Sequence, residues 1–91
     1  MRKAPMKVLM RGVPYTLRFT RLRKNYGDVD PPYNSHREMR IDSTQRGKRK
    51  LWALIHEALH PCIWDLDHDA INETATSLTD MLWKLQYRER K

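Results

Sequence analysis

The sequence predicts an α+β domain in which a small antiparallel sheet of about three strands is followed by two packed helices. Three observations carry that expectation. Apolar and polar residues alternate with period two in stretches up to residue 42, apolar positions recur at about 100° per residue beyond it, and only the short connector "DLDHD" interrupts the helical half. Ninety-one residues have room for one core, so residues 1–91 are read as one domain, with a β-rich part (1–42) and a two-helix part (43–91).

The first element is a β-hairpin. In "KVLMRGVPYTLRFTRL" the turn formers Gly12 and Pro14 separate two β-favouring stretches, and Tyr15, Leu17 and Phe19 alternate with Thr16, Arg18 and Thr20. "KNYGDVDPPYN" follows, with Gly27 and Pro31-Pro32 among Asn and Asp, and reads as a surface loop. "SHREMRID" alternates again, with Met39 and Ile41 on one face and Glu38 and Arg40 on the other. So few apolar residues place this third strand at a sheet edge.

From Asp42 the period changes. Ser43 or Thr44 caps a helix over roughly residues 45 to 63, whose stripe is Leu51, Leu54, Ile55, Ala58 and Cys62 and whose first turns Gly47 weakens. Asp67 or Asp69 caps the second helix, with the stripe Ile71, Ala75, Leu78, Leu82 and Leu85, ending near Tyr87 in a basic tail that suits a helix C-terminus.

Composition bounds the function. One cysteine, Cys62, forms no internal disulfide, and the N-terminal apolar run, cut by Arg11, is too short for a signal sequence or a membrane span. The expected address is the cytoplasm, with no membrane partner. The net charge of +7 is uneven: residues 1 to 50 carry 14 Lys and Arg against 4 Asp and Glu, whereas residues 51 to 91 carry 4 against 7. The basic half could meet the acidic half or an anionic partner such as nucleic acid. "RGKRK" reads first as the solvated first turns of the first helix; its positive charge opposes the helix dipole, which leaves binding of an anion as the alternative.

The chemistry centres on "LIHEALHP". His56, Glu57 and His60 spell H-E-x-x-H, and four helical residues bring both imidazoles to one side, where they can hold one Zn²⁺. Glu57 is placed to act as a general base on water, which is an arrangement for hydrolysing an amide bond. A catalytic zinc takes three protein ligands and keeps one position open. Glu73, one turn inside the second helix, is the first choice for the third ligand, although it lies far round from that helix's apolar stripe. His68 in the connector is the alternative, followed by Asp65, Asp67 or Asp69. For the oxyanion, His36, Tyr33, Tyr87 and Arg40 are candidate donors without a motif. Trp52, Trp64 and Trp83 read as core and rim residues that could also line a substrate pocket, and Cys62 as a small core residue.

The segment "LWALIHEALHPCIWDLDHDAINETATSLTDMLWKLQYR" resembles the zinc-binding half of the very short gluzincin-type metallopeptidases, the minigluzincins, especially those encoded by phages and prophages. The likeness covers about half the chain, residues 41 to 88. It implies a minimal zincin-like domain with His56 and His60 as ligands, Glu57 as general base and Glu73, in "NETA", as third ligand. It also implies that the strand around Arg37 to Ile41 forms the edge on which an extended peptide lies. Pro61 departs from the pattern: it offers no N–H to the carbonyl of Glu57 and disfavours helical geometry at His60, so the helix should kink or stop at the second ligand. The expected function is zinc-dependent hydrolysis of peptide bonds. The competing expectation is a small basic module that binds nucleic acid or protein, with a structural or vestigial zinc site.

Overall fold

The computed structural model describes residues 4–87. The basic tail beyond Tyr87 lies outside the described residues. Strand β1 (Met6–Met10) turns into β2 (Val13–Thr20) through Arg11 and Gly12, both with positive φ (55° and 82°). Those dihedrals match the right-handed twist of the flanking strands, and the glycine takes its share of the turn without a Cβ clash. The expected hairpin is therefore present, with Met10 opposite Val13 and Met6 opposite Leu17.

Two short strands follow, β3 (Gly27–Val29) and β4 (Glu38–Asp42), then helix α1 (Gly47–Cys62) and helix α2 (His68–Lys84). The sheet order is β1-β2-β4-β3. The fold is α+β with two packed helices, as the sequence predicts, and the sheet has four strands and is mixed: β4 runs parallel to β2 and antiparallel to β3.

Two strand expectations are corrected. The "KNYGDVDPPYN" segment is not wholly loop, because Gly27–Val29 pairs with β4, and β4 is consequently an inner strand and not the edge. The cause is electrostatic. Asp28 lies opposite Arg40 in the register, and the Arg40 guanidinium donates to Asp28 (2.5 Å), Asp30 (2.9 Å) and Glu38 (3.0 Å). Charge pairs across neighbouring strands thus fasten a strand that apolar alternation does not reveal. The implied peptide edge at Arg37 to Ile41 is filled by β3.

Met39 and Ile41 face inward, joining Tyr15, Phe19 and Ala53 in the buried core. Helix α1 lies across this face and packs against β3, β4 and α2. Neither Ser43 nor Thr44 caps it: α1 begins at Gly47 behind Arg46 with no side-chain cap, because the Thr44 hydroxyl and N–H are turned to Asp42. Asp67 does cap α2, accepting from the Ala70 N–H at 2.9 Å. Pro61 lies inside α1, which stops one residue later at Cys62. The second histidine is thereby carried on the last helical turn. Among the described residues, no helix is long and apolar enough to cross a membrane.

Candidate metal centre

On α1 the buried residues are Ala53, His56, Glu57 and Pro61, a line distinct from the apolar stripe. The stripe residues Leu54 and Ala58 are only partly buried against the core. The helix is enclosed by the sheet and α2 together, so the H-E-x-x-H face points into the protein and not onto a flank.

His56 is 1% exposed, and its Nε2 lies 3.1 Å from the Nε2 of His60. Two nitrogens on one tetrahedral zinc, each at about 2.0–2.1 Å, stand roughly 3.3 Å apart, so the pair is close to ligating geometry already. The connector after α1 folds back, with the Leu66 N–H donating to the Ile63 carbonyl, and returns the chain so that His68 opens α2 beside the pair. The His68 ring is 5.2 Å from that of His56 and stacks on His60 at 5.5 Å. One ligand atom from each of the three histidines lies within 4.8 Å of the others, so the group could hold a metal ion.

Glu73 is not part of this group and is exposed on α2. It follows His68 by five residues, a helical rotation of about 140°, and Ile71 and Ala75 on either side of it take the buried face. Asp65, Asp67 and Asp69 are exposed and also lie outside the group.

The electrostatics suit a cation. Burial, with His60 and His68 nearby, pushes His56 down to about 4, and burial and His68 lower His60 as well. Both rings are therefore neutral near pH 7, the state in which imidazole ligates. Two neutral rings this close, with the His68 ring beside them, present unshared nitrogen pairs that a cation would satisfy. Glu57, 4% exposed, is pushed up to about 7 by burial, with the charge of Asp28 adding to the effect. Gly27 makes room for it: a Cβ there would stand 2.9 Å from the Glu57 Cγ and 2.9 Å from the Arg40 carbonyl oxygen.

Two further residues stand beside the centre: Tyr26, which sequence reasoning did not place at the site, and Trp52, which it offered only as core or pocket lining. The Tyr26 hydroxyl lies 3.3 Å from His56 Nε2, and the Trp52 ring packs 4.7 Å from the His56 ring. Tyr26 sits just before β3, in the stretch read as loop, so no periodicity marks it. Trp52 is four residues before His56, a spacing that would have placed it on the ligand face. Of the expected oxyanion donors, Arg40 is occupied by three carboxylates, while Tyr33, His36 and Tyr87 are exposed. Tyr33 reaches the vicinity only through Trp64, which lies 6.3 Å from the His60 ring.

No protein-family model, curated protein or solved structure matches the chain.

Proposed function

We propose that the protein is a zinc-dependent hydrolase of peptide bonds, with His56, His60 and His68 as ligands and Glu57 as general base. The supporting observation is the convergence of three histidines on one point with a buried carboxyl, poised near neutrality, in the adjoining position of the same helix. The donor set fits zinc: three imidazole nitrogens, two of them on one helix turn, would hold the ion and leave one tetrahedral position for a water. A zinc ion there supplies Lewis acidity toward a carbonyl and brings the pKa of a water to about 7.

The chain's own residues do the rest. Glu57 takes a proton from the attacking water as the new C–O bond forms, and returns it to the amine nitrogen as the C–N bond breaks, so the elements of water are divided between the two products. Tyr26 holds its hydroxyl beside His56 Nε2. With His56 Nε2 holding a metal, the phenol O–H would be free to donate to the carbonyl oxygen as it gains charge. Substrate reaches the site in extended form along β3. In the antiparallel ladder Tyr26 and Asp30 bond to β4, so Gly27 and Val29 direct their backbone groups to the free edge, where a peptide can add as a further strand.

The test is elemental and kinetic. Purified protein should carry about one zinc per chain, and Glu57→Gln should keep the zinc while abolishing cleavage of an unfolded protein substrate. Wild-type protein that takes up no zinc, or that carries zinc but leaves a broad peptide set intact, would overturn the reading.

A further inference from the structure

Beside the histidine centre, between the first turns of α1 and the second half of α2, lies a cavity of about 470 Å³. Tyr26 and Trp52 wall it on the side of the centre, Lys48 and Arg49 line it from α1 with Gln45 just before, and Thr76, Thr79 and Asp80 line it from α2. Its size is that of a small-ligand site. Two of its polar atoms are unsatisfied. Gln45 is 8% exposed and Thr79 2% exposed, and both Gln45 Oε1 and Thr79 Oγ1 are buried without a hydrogen-bond partner. The Gln45 amide is fixed by its Nε2 donating to the Tyr26 carbonyl at 2.8 Å, which leaves Oε1 as an acceptor in want of an N–H. Buried polar atoms left unpaired are rare in native proteins, and two lining one cavity mark groups kept for a ligand.

The ligand's chemistry follows from what the lining lacks. Gln45 Oε1 needs a donor, the Thr79 hydroxyl can donate to an acceptor, and one planar peptide unit offers both an N–H and a C=O. Trp52 and Tyr26, edge to face at 5.0 Å, offer an apolar wall for a ring. Lys48 is paired with Asp80 at 2.7 Å, so among the described residues Arg49 is the cation left for an anion. The anion is further favoured by α1 itself, which starts with no side-chain cap and no acidic residue in its first turn. An N-acylated aromatic amino acid with a free carboxylate meets every demand, and that is the last residue of a peptide.

We propose that this cavity binds the C-terminal residue of a peptide, with its carboxylate on Arg49, its peptide unit on Gln45 and Thr79, and a large apolar side chain against Trp52. Resting on the hydrolase reading above, it makes the substrate a peptide cut close to its C-terminus, because the two aromatic walls of the cavity are the residues packed on His56.

Calorimetric titration of the full chain in a chelator, with N-acetyl-L-phenylalanine as probe, tests the cavity apart from any catalysis. The acid should bind at least tenfold more tightly than N-acetyl-L-phenylalanine amide and than the α-amide of N-acetyl-L-aspartic acid, which carries only a side-chain carboxylate. Arg49→Gln and Thr79→Val should each weaken binding several-fold, with thermal unfolding confirming that both variants are folded. With zinc restored, peptides ending in a free phenylalanine should show kcat/KM at least tenfold above their amidated forms. Equal binding of acid and amide, tight binding of the side-chain carboxylate, or indifference to both substitutions sinks the proposal. Selective binding without any cleavage would uphold the cavity and remove only the hydrolase reading.

Discussion

Two polar clusters lie back to back across β3, and they have opposite characters. Around Arg40, every carboxylate has a guanidinium partner: Asp28, Asp30 and Glu38 all accept from Arg40, and Glu38 also accepts from Arg18 at 3.2 Å. Around His56, no counter-charge is supplied: a carboxyl is pushed up, two imidazoles are pushed down, and His56 Nδ1 is buried without a partner. A cluster whose members satisfy one another holds structure, whereas one whose members are displaced from their ordinary protonation is held ready for something it lacks. The contrast teaches where to look for function in a basic protein. Here the abundant Arg charge is partly spent on fastening a strand, and the chemistry collects around histidines.

The largest expected effect breaks the contrast by supplying the second cluster with its missing charge. Zinc at a thousandfold excess over its Kd should stabilise the fold by about 4 kcal/mol, raising the melting temperature by roughly 15 to 30 °C for a domain of this size. His68→Ala should abolish the rise and leave the metal-free melting temperature nearly unchanged, because the lost ring is exposed. Scanning calorimetry with zinc and with chelator checks both, and equal melting temperatures for the wild type in the two conditions would end the case for a metal centre.

A pH series on metal-free protein sharpens the contrast, since the clusters respond with opposite signs. Glu57 is raised to about 7 in the folded state, so its contribution is fully present below its unfolded pKa near 4.3 and is lost as pH climbs through 7. The loss is of the order of 3 kcal/mol, and Glu57→Gln should remove it. The Arg40 cluster behaves in reverse. Arg40 hydrogen bonding lowers Glu38, and for Asp30 the opposing effect of burial is outweighed by Arg40 and the Glu38 N–H. Their stabilisation is present above the unfolded carboxylate pKa near 4 and is lost as pH falls through the lowered values. Discounted for partial exposure of these side chains, it amounts to about 1–2 kcal/mol. Arg40→Gln should flatten the acid limb of urea-derived stability and Glu57→Gln the alkaline limb. A single slope shared by both variants would show that the clusters are not separate.

The sequence discloses these regions unequally. The hairpin, both helices and the H-E-x-x-H face follow from periodicity and turn chemistry, which act over a few residues. Strand β3 does not, because Gly27, Asp28 and Val29 show no alternation, and what holds them is a pairing with Arg40 twelve residues away. The third histidine was legible only as an alternative. Whether His68 or Glu73 faces His56 depends on how the connector folds back and on the phase in which α2 starts, and a helical phase error of five residues turns a side chain by about 140°. Tyr26 joins the site through β3, so missing the strand conceals the hydroxyl as well.

Gly27→Ala addresses the wall between the clusters and carries the smallest stability change. The added methyl would meet the Arg40 carbonyl oxygen and the Glu57 Cγ, each at 2.9 Å. The Glu57 side chain can swing clear of the methyl, whereas the Arg40 carbonyl oxygen is β4 backbone and is relieved only by a small give in the β3–β4 ladder, so the larger displacement should fall on Glu57. Overpacking of this kind costs about 1–2 kcal/mol, within the usual range for an added methyl group in a packed site. The displaced carboxyl should then lose activity out of proportion to stability, with zinc content and the acid limb of the pH series unchanged. An Arg40-type loss in acid, with activity retained, would mean instead that β3 yields and that the satisfied cluster is the softer of the two.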